Sequence, residues 1–272
     1  MEDMVLELLV ATMDREDLKF LYDMFPFGLP NNLKVLIINQ TSKDKLLVSS
    51  DENIRVINSY EKGLSKSRNL AIQNAIGDIC LIADDDVKYK KEFQKIILDA
   101  FNDLVETSII AFMVDTNEGR PYKKYYSKKK QLKKIKEIDH LSSVEIAFRH
   151  RAIISNNIFF NEAFGLRSTF LSGEETLFVL EALKKQLKIY FVPRYIVLHS
   201  FFRSTTDMGS DAFIKAKSAI KYIQYRECSR VWLIKFIFFL WRKGYIKMKE
   251  AISKYFVGLK AINQIRQHES SH

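Results

Sequence analysis

Three adjacent carboxylates, Asp84, Asp85 and Asp86, follow the apolar run Ile79-Cys80-Leu81-Ile82-Ala83, where a buried strand should give way to a loop. Like charges about 4 Å apart repel by roughly 1 kcal/mol in water and by more in a shielded cleft. A bound divalent cation turns that repulsion into attraction. Oxygen ligands at the carboxyl end of a strand suit Mg²⁺ or Mn²⁺ carrying a diphosphate better than they suit zinc. The competing reading is an acidic turn capping a helix over Val87–Phe101, since Asp is a favoured N-cap. The company the triplet keeps decides between the two.

Short apolar runs alternate with stretches of helical period through the first half of the chain. Val5–Ala11, Leu33–Ile38, Ile54–Ile57, Ile79–Ala83 and Ser108–Val114 read as strands; Asp14–Met24, Ser65–Ala75 and Tyr89–Asn102 read as helices. This rhythm predicts an α/β fold, a mostly parallel, Rossmann-like sheet flanked by helices. Ligands of such sheets bind at the carboxyl ends of strands, where Thr12, Asn39 and the Asp84 triplet fall. Ser143–Ile154 reads as extended, a helix opens at Gly173-Glu174-Glu175 and runs to about Gln186, and Lys188–Val192 and Tyr195–Leu198 read as two short strands ending at His199.

The ordered pieces resemble the family-2 glycosyltransferases of GT-A fold, which use nucleotide sugars. The resemblance is carried by Leu9-Val10-Ala11-Thr12, by Gly63-Leu64-Ser65-Lys66-Ser67-Arg68-Asn69-Leu70-Ala71, and by Ala83-Asp84-Asp85-Asp86-Val87. Phe164-Gly165, Ser172-Gly173-Glu174-Glu175-Thr176-Leu177-Phe178 and His199 complete it, over roughly residues 5 to 200. It implies a domain over 1–205, with a nucleotide-binding part about 1–115 and an acceptor part about 116–205, followed by a helical extension over 206–272. By the same resemblance Thr12, Asn39, Arg68, Asp84 and Asp85 would bind the donor, most simply a UDP-sugar. The triplet is similar to the family's DxD element, with Asp84 at the ribose or near the cation, Asp86 on Mn²⁺ or Mg²⁺, and His199 completing the metal site. Glu174-Glu175 resembles the Glu-Asp element whose second acid, here Glu175, is the general base of inverting members. The implied activity is transfer of a sugar to a hydroxyl of a glycan or lipid-linked acceptor in bacterial surface polysaccharide synthesis. Two glutamates in a first helical turn are also what the helix dipole favours, and a lone histidine is often only a hydrogen-bonded residue. The chain departs from the family at Glu175, where Asp is usual, and at Asn39-Gln40, where many relatives carry a base-binding Asp.

The net charge of +10 sits mostly in the tail: residues 201–272 hold 14 Lys/Arg against 5 Asp/Glu. From Arg120 to Lys136 nine basic residues occur with no acidic one, a solvated face or a lid over an anionic ligand. Residues 211–260 interleave aromatic and basic residues at helical spacing. They either lie against an anionic membrane or pack on the catalytic domain or on a second subunit as a homodimer. The longest apolar stretch, Val231–Trp241, is far short of the ~20 residues that span a bilayer. The acidic opening and short apolar run predict no secretory leader. Cys80 and Cys228 offer neither a disulfide framework nor metal spacing, so a cytoplasmic protein is expected, peripheral on the inner face of the plasma membrane where residues 211–260 meet the membrane. Two rivals remain. A nucleotidyltransferase on a related fold would want a glycine-rich phosphate loop, which Ala11-Thr12-Met13-Asp14-Arg15 lacks. A non-enzymatic binder of an anionic polymer would not need these acids, so no nucleic-acid partner is expected.

Overall fold

The structure, a computed structural model, describes residues 4–116, 122–199 and 207–270. Its elements run β1 (Leu6–Met13), α1 (Lys19–Asp23), β2 (Lys34–Gln40), β3 (Ile54–Ser59), α2 (Leu64–Asn74), β4 (Ile79–Asp84), β5 (Lys88–Tyr89) and α3 (Phe93–Asp103). The chain goes on through β6 (Ile109–Asp115), β7 (Lys130–Gln131), α4 (Ile135–Ile138), β8 (Ile146–Arg149), α5 (His150–Ser155), α6 (Glu174–Lys184) and β9 (Ile189–Leu198). It closes with three helices, α7 (Asp211–Tyr225), α8 (Ser229–Arg242) and α9 (Ala251–Ser270).

All the strands join one mixed sheet of order β3-β2-β1-β4-β8-β6-β9-β5, with β7 pairing to β9. The expected parallel unit is β3-β2-β1-β4; its inner strands β2, β1 and β4 are buried and largely apolar on both faces, whereas the edge strand β3 is half-buried. Its register sets Thr12 opposite Asn39 and Ala11 opposite Asp84, so three strands end at one level. Beyond β4 the short strand β8 runs antiparallel and links the parallel unit to the β6–β9 pair.

Four local expectations change. The helix expected over Asp14–Met24 is confined to Lys19–Asp23. Ser143–Ile154 is not one extended stretch. Ser142 N donates to Glu145 Oε1 at 2.8 Å to close a turn, four residues form β8, and α5 begins at His150, whose backbone N donates to Asp78 O at 3.0 Å. Lys88 and Tyr89 begin no helix; they pair with Leu198 and Val197 of β9, and α3 starts only at Phe93. The two strands expected around Pro193 are one. Between Phe191 and Tyr195 two additional residues are accommodated opposite Ala111 and Met113, which is where proline, lacking an N–H, is tolerated.

Two apolar layers form, one on each face of the sheet. One of them continues without a break from Leu9, Ile82 and Phe178 into Ile214, Leu233 and Ile265 of the terminal helices. Gly173, directly before α6, shows why that contact is close. It adopts φ +100°, and a Cβ there would lie 2.2 Å from Ile220 Cδ1 of α7. Left-handed strain and this overlap act together. Gly173→Ala should therefore destabilise the protein by about 2 kcal/mol, measured by chemical denaturation, and lower activity through the displaced start of α6.

Candidate active site

Because the carboxyl ends of β1, β2 and β4 are level, the residues after them open into a common cleft of about 900 Å³. Thr12, Arg68, all three carboxylates of the triplet, Glu174, Glu175 and His199 line it. A cleft of this size holds a nucleotide-sized ligand.

Helix α2 organises the site. Ser65, Arg68 and Asn69 fall on one face at the i, i+3, i+4 spacing and point at the 160–174 segment. Ser65 Oγ donates to Phe164 O at 2.6 Å, while Asn69 donates to Phe160 O at 3.0 Å and accepts from Phe160 N at 2.8 Å. Between them Arg68, 3% exposed, donates from Nη1 to Glu174 Oε1 at 2.9 Å and from Nη2 to Asp84 Oδ1 at 2.8 Å. One guanidinium thus ties the end of β4 to the start of α6. Burial alone would weaken its charge, but Asp84, Glu174 and Glu175 outweigh that and raise its pKa. The sense of the helix start is restored by Gln40, whose amide donates to Gly63 O and accepts from Gly63 N, both at 3.0 Å.

The three acids differ in what they touch. Asp84 is committed on both oxygens, Oδ1 to Arg68 and Oδ2 to the Ser143 hydroxyl at 3.2 Å. Asp85 Oδ2 accepts from Thr12 Oγ1 at 2.5 Å and from Arg15 Nη2 at 2.7 Å. Asp86 is 65% exposed on its side chain, with His199 Nε2 3.5 Å from its Oδ1. The hydrogen bond from His199 holds the Asp86 carboxyl below its ordinary range. That proximity comes from the β5–β9 pairing, which sets Lys88 opposite Leu198, next to His199, and from His199 N donating to Asp115 O at 3.0 Å.

Glu175 is half-buried at the start of α6. Burial, with the Glu174 carboxylate beside it, raises its carboxyl to about 8 against the opposing pull of Arg68. Glu174, 6% exposed, keeps Oε2 without a hydrogen-bond partner. One acid is therefore neutralised by Arg68 and the other left avid for a proton, the separation of roles that acid–base chemistry uses.

Asn39 stands apart from the other expected residues. It is fully buried behind the cleft wall, accepting from Arg15 N at 3.1 Å and donating to Arg15 O at 2.9 Å and to Asn58 Oδ1 at 3.0 Å. What it positions is Arg15, which the sequence did not single out, although its place three residues past Thr12 was a usable signal. Ser143, from the misread 143–154 stretch, and Arg167, in a left-handed turn at φ 65°, also reach the cleft without having been anticipated.

Among the described residues no group of three or more His, Cys, Asp or Glu side chains is arranged to hold a metal. Asp86 and His199, 3.5 Å apart, place a carboxylate oxygen and an imidazole nitrogen together in the cleft. This fits a hard divalent cation that keeps waters and takes its remaining ligands from substrate phosphates.

A mixed α/β sheet with strand ends, acidic triplet and paired glutamates around one cleft, followed by helices, is the GT-A architecture. The chain belongs to the glycosyl transferase family 2, whose model matches residues 4–159, and it is a glycosyltransferase. Among solved structures, residues 1–349 of S. aureus TarS in complex with UDP-GlcNAc align over 96% of this chain and 81% of that one, with a TM-score of 0.62 at 18% identity. The same TarS fragment in another structure covers 98% of this chain and 91% of its own, with a TM-score of 0.58 at 18% identity. A longer TarS chain aligns over 96% of this chain, at 18% identity and a TM-score of 0.61, but this chain spans only 49% of its length. At this identity the likeness concerns the fold. No curated protein matches the sequence.

Proposed function

We propose that the chain transfers a sugar from a nucleoside diphosphate donor, a UDP-sugar, to a hydroxyl of a glycan or lipid-linked acceptor, with inversion at the anomeric carbon. The observation that carries this reading is that Arg68 joins the Asp84–Asp86 triplet to Glu174–Glu175 across one cleft. The likeness to TarS, solved with UDP-GlcNAc and with UDP, favours uridine in the donor. Synthesis of a bacterial surface polysaccharide on the inner face of the plasma membrane is the setting that family analogy supplies.

Asp86 and His199 would hold Mn²⁺ or Mg²⁺. Bound there, the cation supplies Lewis-acid stabilisation of the negative charge that grows on the departing diphosphate. Thr12 and Asp85 line the wall where β1 and β4 end, with Arg15 hydrogen-bonded to Asp85, an arrangement suited to the nucleoside side of the donor. Arg68 places a permanently charged guanidinium beside Asp84 and Glu174. Glu175 accepts the proton of the acceptor hydroxyl while that oxygen forms its bond to the anomeric carbon and the bond to the diphosphate oxygen breaks. One displacement inverts the centre. Residues 1–205 act as the catalytic unit, with donor side 1–115 and acceptor side 116–205; the 206–272 extension braces α6 through Ile220 on Gly173.

Thermal unfolding tests the donor and cation roles together. UDP with Mn²⁺ should raise Tm by several degrees, as expected for about 2.7 kcal/mol at a hundredfold excess over Kd. UDP with EDTA should do much less, and Asp86→Asn should remove the difference. Equal shifts with and without metal would exclude the cation role, and no shift with any nucleotide would end the transferase reading. A shift with an oligonucleotide instead would favour a polymer binder.

A further inference from the structure

The helix α8 has two apolar faces. Leu233, Ile237 and Leu240, buried at i, i+4 and i+7 spacing, dock it against α7 and α9. A second stripe, Val231, Ile234, Phe238 and Trp241, is turned to solvent, with exposures of 57%, 58%, 55% and 38%. These residues recur at i, i+3, i+7 and i+10, so they line one side of the helix that the fold does not use. The aromatic surface continues into the turn after α8: the Phe238 and Trp241 rings lie 5.4 Å apart, and the Phe239 and Tyr245 rings 6.3 Å apart. An unburied row of this size on a folded chain marks a surface that something covers.

Charge says what covers it. From Ser229 to Lys260 the sequence carries eight Lys or Arg and one acid, Glu250, a net of +7. Within α8 there is no Asp or Glu; Arg230, Lys235 and Arg242 are exposed around the stripe. A second copy of the chain packed on this face about a two-fold axis would set the basic rim against itself. An anionic lipid surface would instead meet both the apolar stripe and its cationic margin. No helix among the described residues is long and apolar enough to cross a membrane, so such contact would be interfacial.

We propose that α8 and the turn that follows it form a peripheral docking face for anionic phospholipid bilayers, with Phe238 and Trp241 entering the headgroup layer and Lys235 and Arg242 meeting lipid phosphates. Aromatic side chains with one polar end sit favourably at that boundary, and each Lys or Arg near the surface adds an increment that salt weakens.

Flotation of the full chain with vesicles tests this without any sugar transfer, so its failure leaves the reading of the cleft standing. The chain should float with phosphatidylcholine mixed with phosphatidylglycerol, and not with phosphatidylcholine alone, and high salt should release it. Lys235→Gln with Arg242→Gln should lower partitioning about 30-fold, taking about a fivefold contribution per basic residue. Phe238→Ser with Trp241→Ser should lower it at least tenfold. Because these side chains are exposed, both variants should keep the parent melting curve, and Val105→Ser, 71% exposed elsewhere, should bind vesicles like the parent. Absence of binding to anionic vesicles, or binding unaffected by both double variants, would overturn the proposal. So would a sedimenting dimer that Phe238→Ser with Trp241→Ser dissociates in a chain that does not float, since the face would then be an interface between copies.

Discussion

Glu175→Gln should reduce kcat by about a hundredfold to ten-thousandfold while leaving the nucleotide-induced rise in Tm intact. The amide preserves shape and hydrogen-bonding reach but cannot accept the hydroxyl proton, and positioned general bases contribute about 10²- to 10⁴-fold. Near-wild-type transfer by this variant would remove Glu175 from the base role. The same carboxyl predicts a pH profile. In the free enzyme it titrates near 8, so kcat/KM should rise about tenfold per unit on the acid side and level off above that value. Stability should respond in the opposite sense. The folded pKa lies above the unfolded one, so the native state holds more protons between roughly pH 4.5 and 8, and stability should fall as pH rises through that window. Glu175→Gln should flatten this slope and raise Tm at pH 8, while the loss of kcat separates the catalytic role from this electrostatic cost.

Arg68→Met should cost about 3–5 kcal/mol of stability and abolish measurable transfer. Removing the guanidinium leaves Glu174, 8% exposed on its side chain, with an uncompensated charge and frees Asp84, at the end of β4, from its tie to α2. Breaking a buried pair from one side is penalised because the surviving ion stays desolvated. For a chain of this length the loss corresponds to a fall in Tm of roughly 10 °C. Arg68→Lys should be intermediate, because a single ammonium cannot serve two carboxylates on separate elements as a planar fork does. Arg68→Met combined with Glu174→Gln should recover part of the stability but none of the activity, measured as a double-mutant cycle by denaturation. Additive losses would show that the bridge is not what holds α2, β4 and α6 together.

Much of the site could be read from residue order. The strands β1, β2 and β4 were legible because fully buried parallel strands are short, continuous apolar runs, and their ends are where ligands of such sheets bind. Thr12, the Asp84 triplet and the Glu174–Glu175 pair were recognisable by their order and by where they fall, at strand ends and a helix start, as in the family they resemble. The expectation for 143–154 failed because Ile146–Phe148 and Ala152–Ile154 are short apolar runs on either side of Arg149-His150-Arg151, with no clear period. Only the pairing of Ile146–Arg149 between β4 and β6, with His150 anchored to Asp78, separates strand from helix there. Lys88 and Tyr89 looked like the opening of α3 for a similar reason: a two-residue strand has no sequence signature and exists by virtue of its partner.

The sequence by itself determined the alternation of elements, the clustering of acids at a strand end and a helix start, and the uneven placement of positive charge, because these follow from the chemistry of each residue and its near neighbours. What the tertiary structure decided is which of those residues share a space. Asn39 turned inward to hold Arg15, Asp84 was drawn to Arg68 and Ser143, and Asp86 was left to meet His199, more than a hundred residues away, through the pairing of β5 with β9. The two faces of α8 were likewise inseparable in the sequence, since both are apolar; only packing against α7 and α9 shows which one the fold consumes. Long-range pairing and burial are collective properties of the folded chain, and no local pattern encodes them.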